Sequence, residues 1–121
     1  MAFSGKDLFE FVSKLNEKKG DFQHSQGAYR AIISRSYYSA FLEARYHLGI
    51  QEGERADVHR KVCTELKARN TSLGNKLSTL LKNRKNADYV MSRQCASRDV
   101  SESIRLASDI ISDLNPEPAS K

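Results

Sequence analysis

Residues 25–49 read SQGAYRAIISRSYYSAFLEARYHLG, and this stretch decides the fold. Tyr29, Ile33, Tyr37, Ala40, Phe41, Ala44 and Leu48 fall in one row at helical spacing, while Ala28, Ala31, Ile32, Tyr38 and Leu42 occupy the other side. A helix that is apolar on both sides must be covered on both sides, so the spacing predicts a long central helix from about Ser25 to Leu48. It stops at Gly49-Ile50, where glycine accepts the left-handed conformation and isoleucine closes over the helix end. The small residues Ser36, Ser39, Ala40 and Ala44 let neighbouring helices come close.

Four further amphipathic segments flank it. The first starts at the N-cap Ser4, carries Leu8, Phe11, Val12 and Leu15, and leaves through Lys18-Lys19-Gly20. A third, from about Ala56 to Arg69, aligns Val58, Val62 and Leu66. Asn70-Thr71-Ser72 then supplies both an exit and a new N-cap for a fourth segment with Leu73, Leu77, Leu80, Leu81, Ala87 and Met91. After a polar loop at Ser92–Ser97, the fifth places Val100, Ile104, Ala107, Ile111 and Leu114 on one face. Short connections imply an all-α, up-and-down antiparallel bundle of four to five helices spanning residues 1–114. Residues 115–121 hold both prolines and read as a flexible tail.

Composition agrees. The 121 residues fit one domain, and 39% hydrophobic with only two Pro and six Gly favours helices over a sandwich or barrel. No run approaches the roughly 20 apolar residues that span a bilayer, and the N-terminus lacks a secretory pattern, so a cytoplasmic protein with no membrane association is expected. Cys63 and Cys95 form no metal-ligand or disulfide pattern and read as ordinary, mostly buried thiols. The net charge of +5 is uneven: Glu54–Arg98 holds 11 Lys or Arg against four acidic residues, whereas the chain from Asp99 holds two against five. A basic centre suits a polyanion such as RNA, or is simply a solvated face.

The charges that interrupt the apolar rows are the candidate functional residues. Arg84 lies within the leucine row of the fourth segment, and Asp88 follows one turn later. An inward Arg84 must find a partner or reach a cleft, and Asp88, at i+4, is the obvious one. That pair either fixes helix register or marks a functional cleft. On the central helix, Arg30 shares the row of Tyr37 and Phe41, and Arg35 lies along the Ala28, Ile32 and Leu42 side. Their forked donors suit a carboxylate such as Asp88 or a phosphate, and Arg35 also reads as a partly exposed arginine with a packed stem. His24 and His47 read as structural. His59 flanks the Val58, Val62 and Leu66 row, where it is either a hydrogen-bonded structural residue or a general acid or base. There is no Gly-rich phosphate loop, HExxH, GxSxG or paired Glu-x-x-His, so neither a metal nor a bound cofactor is expected.

The run Tyr29–Ala44 resembles the long second helix of HEPN-domain proteins, R-x-A-x-S-R-A-Y-Y-A-x-F-x-A, and Leu81–Tyr89 is similar to the L-x-x-x-R-x-x-A-D-Y segment of one branch of that family. With His59, the likeness extends from about Asp7 to Leu114. The resemblance implies a four- or five-helix bundle, usually a homodimer, with the fourth-helix motifs facing a shared cleft. Many such proteins are metal-independent ribonucleases of toxin–antitoxin or defence type, and some pair with a nucleotidyltransferase. Their motif is an Arg followed, after four to six residues, by His. Arg84 takes the Arg position, but Asp88 and Tyr89 stand where the histidine belongs, and Arg55–His59 is one residue too short and in the wrong segment. The implied catalytic set is Arg84, Asp88, Tyr89 and His59; the implied RNA- or nucleotide-binding set is Arg30, Arg35, Lys85 and Asn86. A non-catalytic member that docks a partner enzyme or antitoxin is the alternative.

Overall fold

A computed structural model of the protein describes residues 4–18, 26–50, 58–90, 92 and 94–116. Lys19, Gly20, His24, Ser25, Ala56, Met91 and residues 117–121 of the tail lie outside them. Five helices make up an all-α bundle: α1 Gly5–Glu17, α2 Gln26–Leu48, α3 Val58–Arg69, α4 Thr71–Tyr89 and α5 Ser97–Leu114. No strand occurs among the described residues, and no helix there is long and apolar enough to cross a membrane.

Local chemistry sets the helix ends. Ser4 Oγ accepts from the Asp7 amide and the Asp7 carboxylate accepts from the Ser4 amide, both at 3.1 Å, closing a capping box at α1. Gly49 ends α2 in the left-handed region with φ of 72°, and the Ile50 amide reaches back to the Arg45 carbonyl. Between α3 and α4 there is one residue, Asn70. Its amide donates to Leu66 O at 2.7 Å, while its side-chain Oδ1 caps the Leu73 amide at 3.1 Å. Gly74 then lies so close to the Lys67 backbone that a Cβ there would collide with it.

α2 touches all four other helices. Along the expected rows, Ile32, Ile33, Tyr37, Ala40, Phe41 and Ala44 are buried, whereas Ala31 is exposed. Contacts fix the directions. Arg30 with Ala87, Ser34 with Asp88 and Tyr38 with Arg84 run α4 antiparallel to α2. The paired bonds of Gln26 to the Cys95 backbone and of Asn115 to Glu43 lay α5 beside α2 in the same sense. Since α3 doubles back on α4 through Asn70, α2 and α3 share a direction, and the expected alternation is interrupted once, between them. His59, at the start of α3, meets Tyr37 and Phe41 in the middle of α2, and α3 runs on from there toward the C-terminal end of α2.

Packing of α1 departs from its sequence pattern. Phe11, expected on the inward row, is 57% exposed, and Phe9 packs against the core in its place. The α1 face is chosen by Gly5, which lies against the Ser39 carbonyl and the Glu43 backbone with no room for a Cβ. This contact buries Glu43 to 3% exposure at the start of α1, where its Oε1 accepts from the Lys6 amide at 3.1 Å. An anion at a helix N-terminus is favoured by the peptide dipoles. Asn115 Nδ2 donates to Glu43 Oε2 at 2.8 Å, and His47 Nε2 lies 3.5 Å from the same oxygen. Asn115, expected in the flexible tail, is thereby fixed to the bundle. A Gly5→Ala substitution is expected to destabilise the fold by about 1–3 kcal/mol through overpacking, and Glu43→Ala by a similar amount through the donors it orphans. Chemical denaturation checks both.

Candidate functional site

Arg84 is brought by α4 against the aromatic side of α2. Its Nε donates to Asp88 Oδ2 at 2.9 Å, and Nη2 donates to the Tyr38 hydroxyl at 2.8 Å and to the Tyr89 hydroxyl at 3.4 Å. The guanidinium carbon stands 5.0 Å from the Tyr38 ring centre and 5.6 Å from that of Tyr89, within cation–π range. Side-chain exposure is 15% for Arg84 and 25% for Asp88, so the pair faces inward, as its place in the leucine row predicts. Ser34 Oγ donates to the same Asp88 oxygen at 3.2 Å. Among the described residues, no acceptor stands on Arg84 Nη1.

His59, one residue into α3, stacks on Phe41 with ring centres 4.4 Å apart, and its Nδ1 lies 2.6 Å from the Tyr37 hydroxyl. Burial first, then the charges of Arg84, Lys85 and Arg45, lower its pKa below the ordinary imidazole value. The ring is therefore neutral at pH 7. Burial also keeps the Tyr37 phenol and the Cys63 thiol protonated.

These groups border a cleft of about 730 Å³ between α3 and α4, a size that suits a small ligand or a few nucleotides. α3 contributes His59, Arg60, Cys63 and Lys67 among others; α4 contributes Ser78, Arg84 and Lys85. Among the described residues, four that line it are cations and none is a carboxylate. Arg84 is paired with Asp88, and the three other cations give the cleft a positive bias that attracts anions. Of the two thiols, Cys95 is buried and Cys63 is half-buried in the cleft wall.

The expected residues divide. Arg84, Asp88, Tyr89, His59 and Lys85 come together in or beside the cleft. Arg30, Arg35 and Asn86 do not. Arg30 Nη1 donates to the carbonyl oxygens of Ala87 at 2.8 Å and Val90 at 3.3 Å, so the guanidinium meets the C-terminal end of α4, where a cation is favoured by the dipole. Arg35 is exposed, 5.8 Å from the Tyr38 ring. Asn86 lines a separate small recess with Ile33, Asn83, Cys95 and Asp99. Sequence reasoning placed Tyr37 and Tyr38 with the apolar rows, and their hydroxyls prove to organise the site; two adjacent tyrosines beside inward arginines were the available signal. Arg60 and Lys67 were also missed, because nothing in their spacing separates a cleft wall from a solvated face.

Among the described residues, no group of three or more His, Cys, Asp or Glu could hold a metal ion. No family model, curated protein or solved structure matches the chain.

Removing one partner of the Arg84–Asp88 pair strands the other. Arg84→Ala is expected to cost about 1–3 kcal/mol, less than for a fully buried pair, with a coupling to Asp88→Asn of about 1 kcal/mol in a double-mutant cycle followed by urea denaturation. His59 gives a pH signature. Its folded pKa is lowered, so the unfolded chain binds the proton more readily; the stabilisation is full above about pH 6.5 and is lost as pH falls below it. The urea midpoint of the native protein should thus drop between about pH 6.5 and 5 more steeply than that of His59→Gln.

Proposed function

We propose that the chain is a HEPN-type protein that acts on RNA or a nucleotide in the cytoplasm, with the α3–α4 cleft as its phosphate-binding surface. One observation carries this reading: the cleft presents Arg60, Lys67, Arg84 and Lys85, with no carboxylate in its lining among the described residues. Phosphates supply the missing charge, and guanidinium groups match their geometry. In its catalytic form the proposal is a metal-independent endoribonuclease of toxin–antitoxin or defence type, assembled as a homodimer. Arg84 would hold the scissile phosphate through Nη1, with Tyr89 and His59 beside it, while Asp88 is kept off the phosphate by its bonds to Arg84 and Ser34.

A second reading has its own support. Tyr89 is 67% exposed and Val90 37%, so the last turn of α4 offers an aromatic and an aliphatic side chain next to the Arg84 network. That surface suits a non-catalytic dimeric module that docks and regulates a partner such as a nucleotidyltransferase or antitoxin.

The experiment separates them. Native protein and Arg84→Ala are incubated with mixed RNA in EDTA, and binding of a labelled single-stranded RNA is followed by anisotropy across a salt series. Cleavage that disappears in Arg84→Ala supports the ribonuclease. Binding is expected to weaken linearly with log salt concentration, and Lys85→Ala should reduce that slope by about 0.7 for the lost phosphate contact. The absence of both cleavage and RNA retention at low salt overturns the RNA reading and leaves the docking module.

A further inference from the structure

His59 meets the cleft with one ring nitrogen already engaged. The Tyr37 side chain beside it is 0% exposed, and a buried hydroxyl hydrogen must find an acceptor or forfeit its hydrogen bond. Among the described residues, His59 Nδ1, at 2.6 Å, is the acceptor within reach of the Tyr37 hydroxyl. An accepting Nδ1 carries no hydrogen, so the hydrogen of the neutral imidazole belongs on Nε2. No described residue bonds to Nε2, and the ring lines the cleft. Stacking on Phe41 and the Tyr37 bond together hold its plane.

The surroundings are one-sided. Tyr37, Tyr38 and Arg45 face the imidazole from α2, Cys63 follows one turn later on α3, and Arg84 and Lys85 approach from α4. Three of these are cations and none is a carboxylate.

We propose that Tyr37 is a positioning residue that locks His59 as a neutral Nε2–H donor to an anionic oxygen of the cleft's phosphate-bearing ligand. The proposal rests on the cleft being the phosphate site. It assigns His59 the role of anion ligand and removes it as a general base, because the lone pair a base needs is spent on Tyr37. In the empty cleft, burial and the charges of Arg84, Lys85 and Arg45 keep the ring neutral. A bound phosphate meets the Nε2–H without displacing the Tyr37 hydrogen bond, so the ring stays neutral in the complex.

Imidazole nitrogen–proton correlation NMR tests this in the native protein, free and with hexauridylate, whose phosphodiesters stay ionised throughout. The free protein is expected to show His59 as the neutral Nε2–H form, and Tyr37→Phe to mix both tautomers. Hexauridylate should shift the His59 Nε2–H resonance with the ring still in its neutral form, and His59→Phe should bind it several-fold more weakly. A native Nδ1–H form overturns the proposal without any variant. So does an unmoved His59 ring while the Lys67 and Lys85 amides respond to hexauridylate, which leaves the cleft reading intact. If those amides also stay still, the cleft reading fails and the proposal with it.

Discussion

A helix enclosed by four others can carry polar groups inward only where each finds a partner inside the bundle, and α2 carries many. Ser36 and Ser39 satisfy themselves, donating to Ile32 O at 2.7 Å and Ser36 O at 2.8 Å. Glu43 takes the first turn of α1 and Asn115, Arg30 takes the end of α4, and Ser34, Tyr37 and Tyr38 reach Asp88, His59 and Arg84. Each bond ties α2 to a different helix or to a different level of the same one. Apolar contact would tolerate slippage between helices, whereas these bonds fix axial register, because a shift by one turn would strand several buried donors at once. The cleft inherits its geometry from this register, since Arg84 and His59 are both held against the Tyr37 and Tyr38 rings of α2.

Legibility from sequence followed how local the governing physics was. Helix ends set by neighbouring residues, such as Ser4 with Asp7 and Gly49 with Ile50, were readable to within a residue or two. The Arg84–Asp88 pair was readable because both partners lie on one helix at i,i+4. Where the partner is distant, the pattern misled. Phe11 and Phe9 differ only in which face of α1 turns inward, and that is decided by Gly5 meeting Ser39 and Glu43. Arg30 read as a ligand for carboxylate or phosphate, and its bonds to backbone carbonyls of α4 were not foreseen, because backbone carbonyls leave no trace in residue identity. Glu43 gave no warning of its burial, because its partners come from Lys6 and Asn115, at opposite ends of the chain.

Charge is distributed with a purpose that the net figure hides. On the α5 side, acids are matched: Asp109 faces Lys76 at 3.4 Å and Arg105 at 3.8 Å, and Glu102 accepts from Asn83 at 2.9 Å. On the α3 side, Arg60, Lys67 and Lys85 gather at one opening without an acidic neighbour in its lining among the described residues. The two faces share α4, so one helix separates a balanced surface from an unbalanced one. Within the unbalanced face, Arg84 is the exception, with its single carboxylate facing away toward Ser34.

The joint at Asn70 has a consequence for how such a cleft can change. With one residue between α3 and α4, capping both, and Gly74 pressed on Lys67, the hinge is made of backbone and has no slack. One extra residue after Asn70 would turn α4 by about 100° about its own axis, replacing the Ser78, Leu81 and Lys85 wall with its other flank. Lineages descended from this architecture are therefore free to vary the lining side by side chain, but an indel at the joint exchanges the whole wall in a single event.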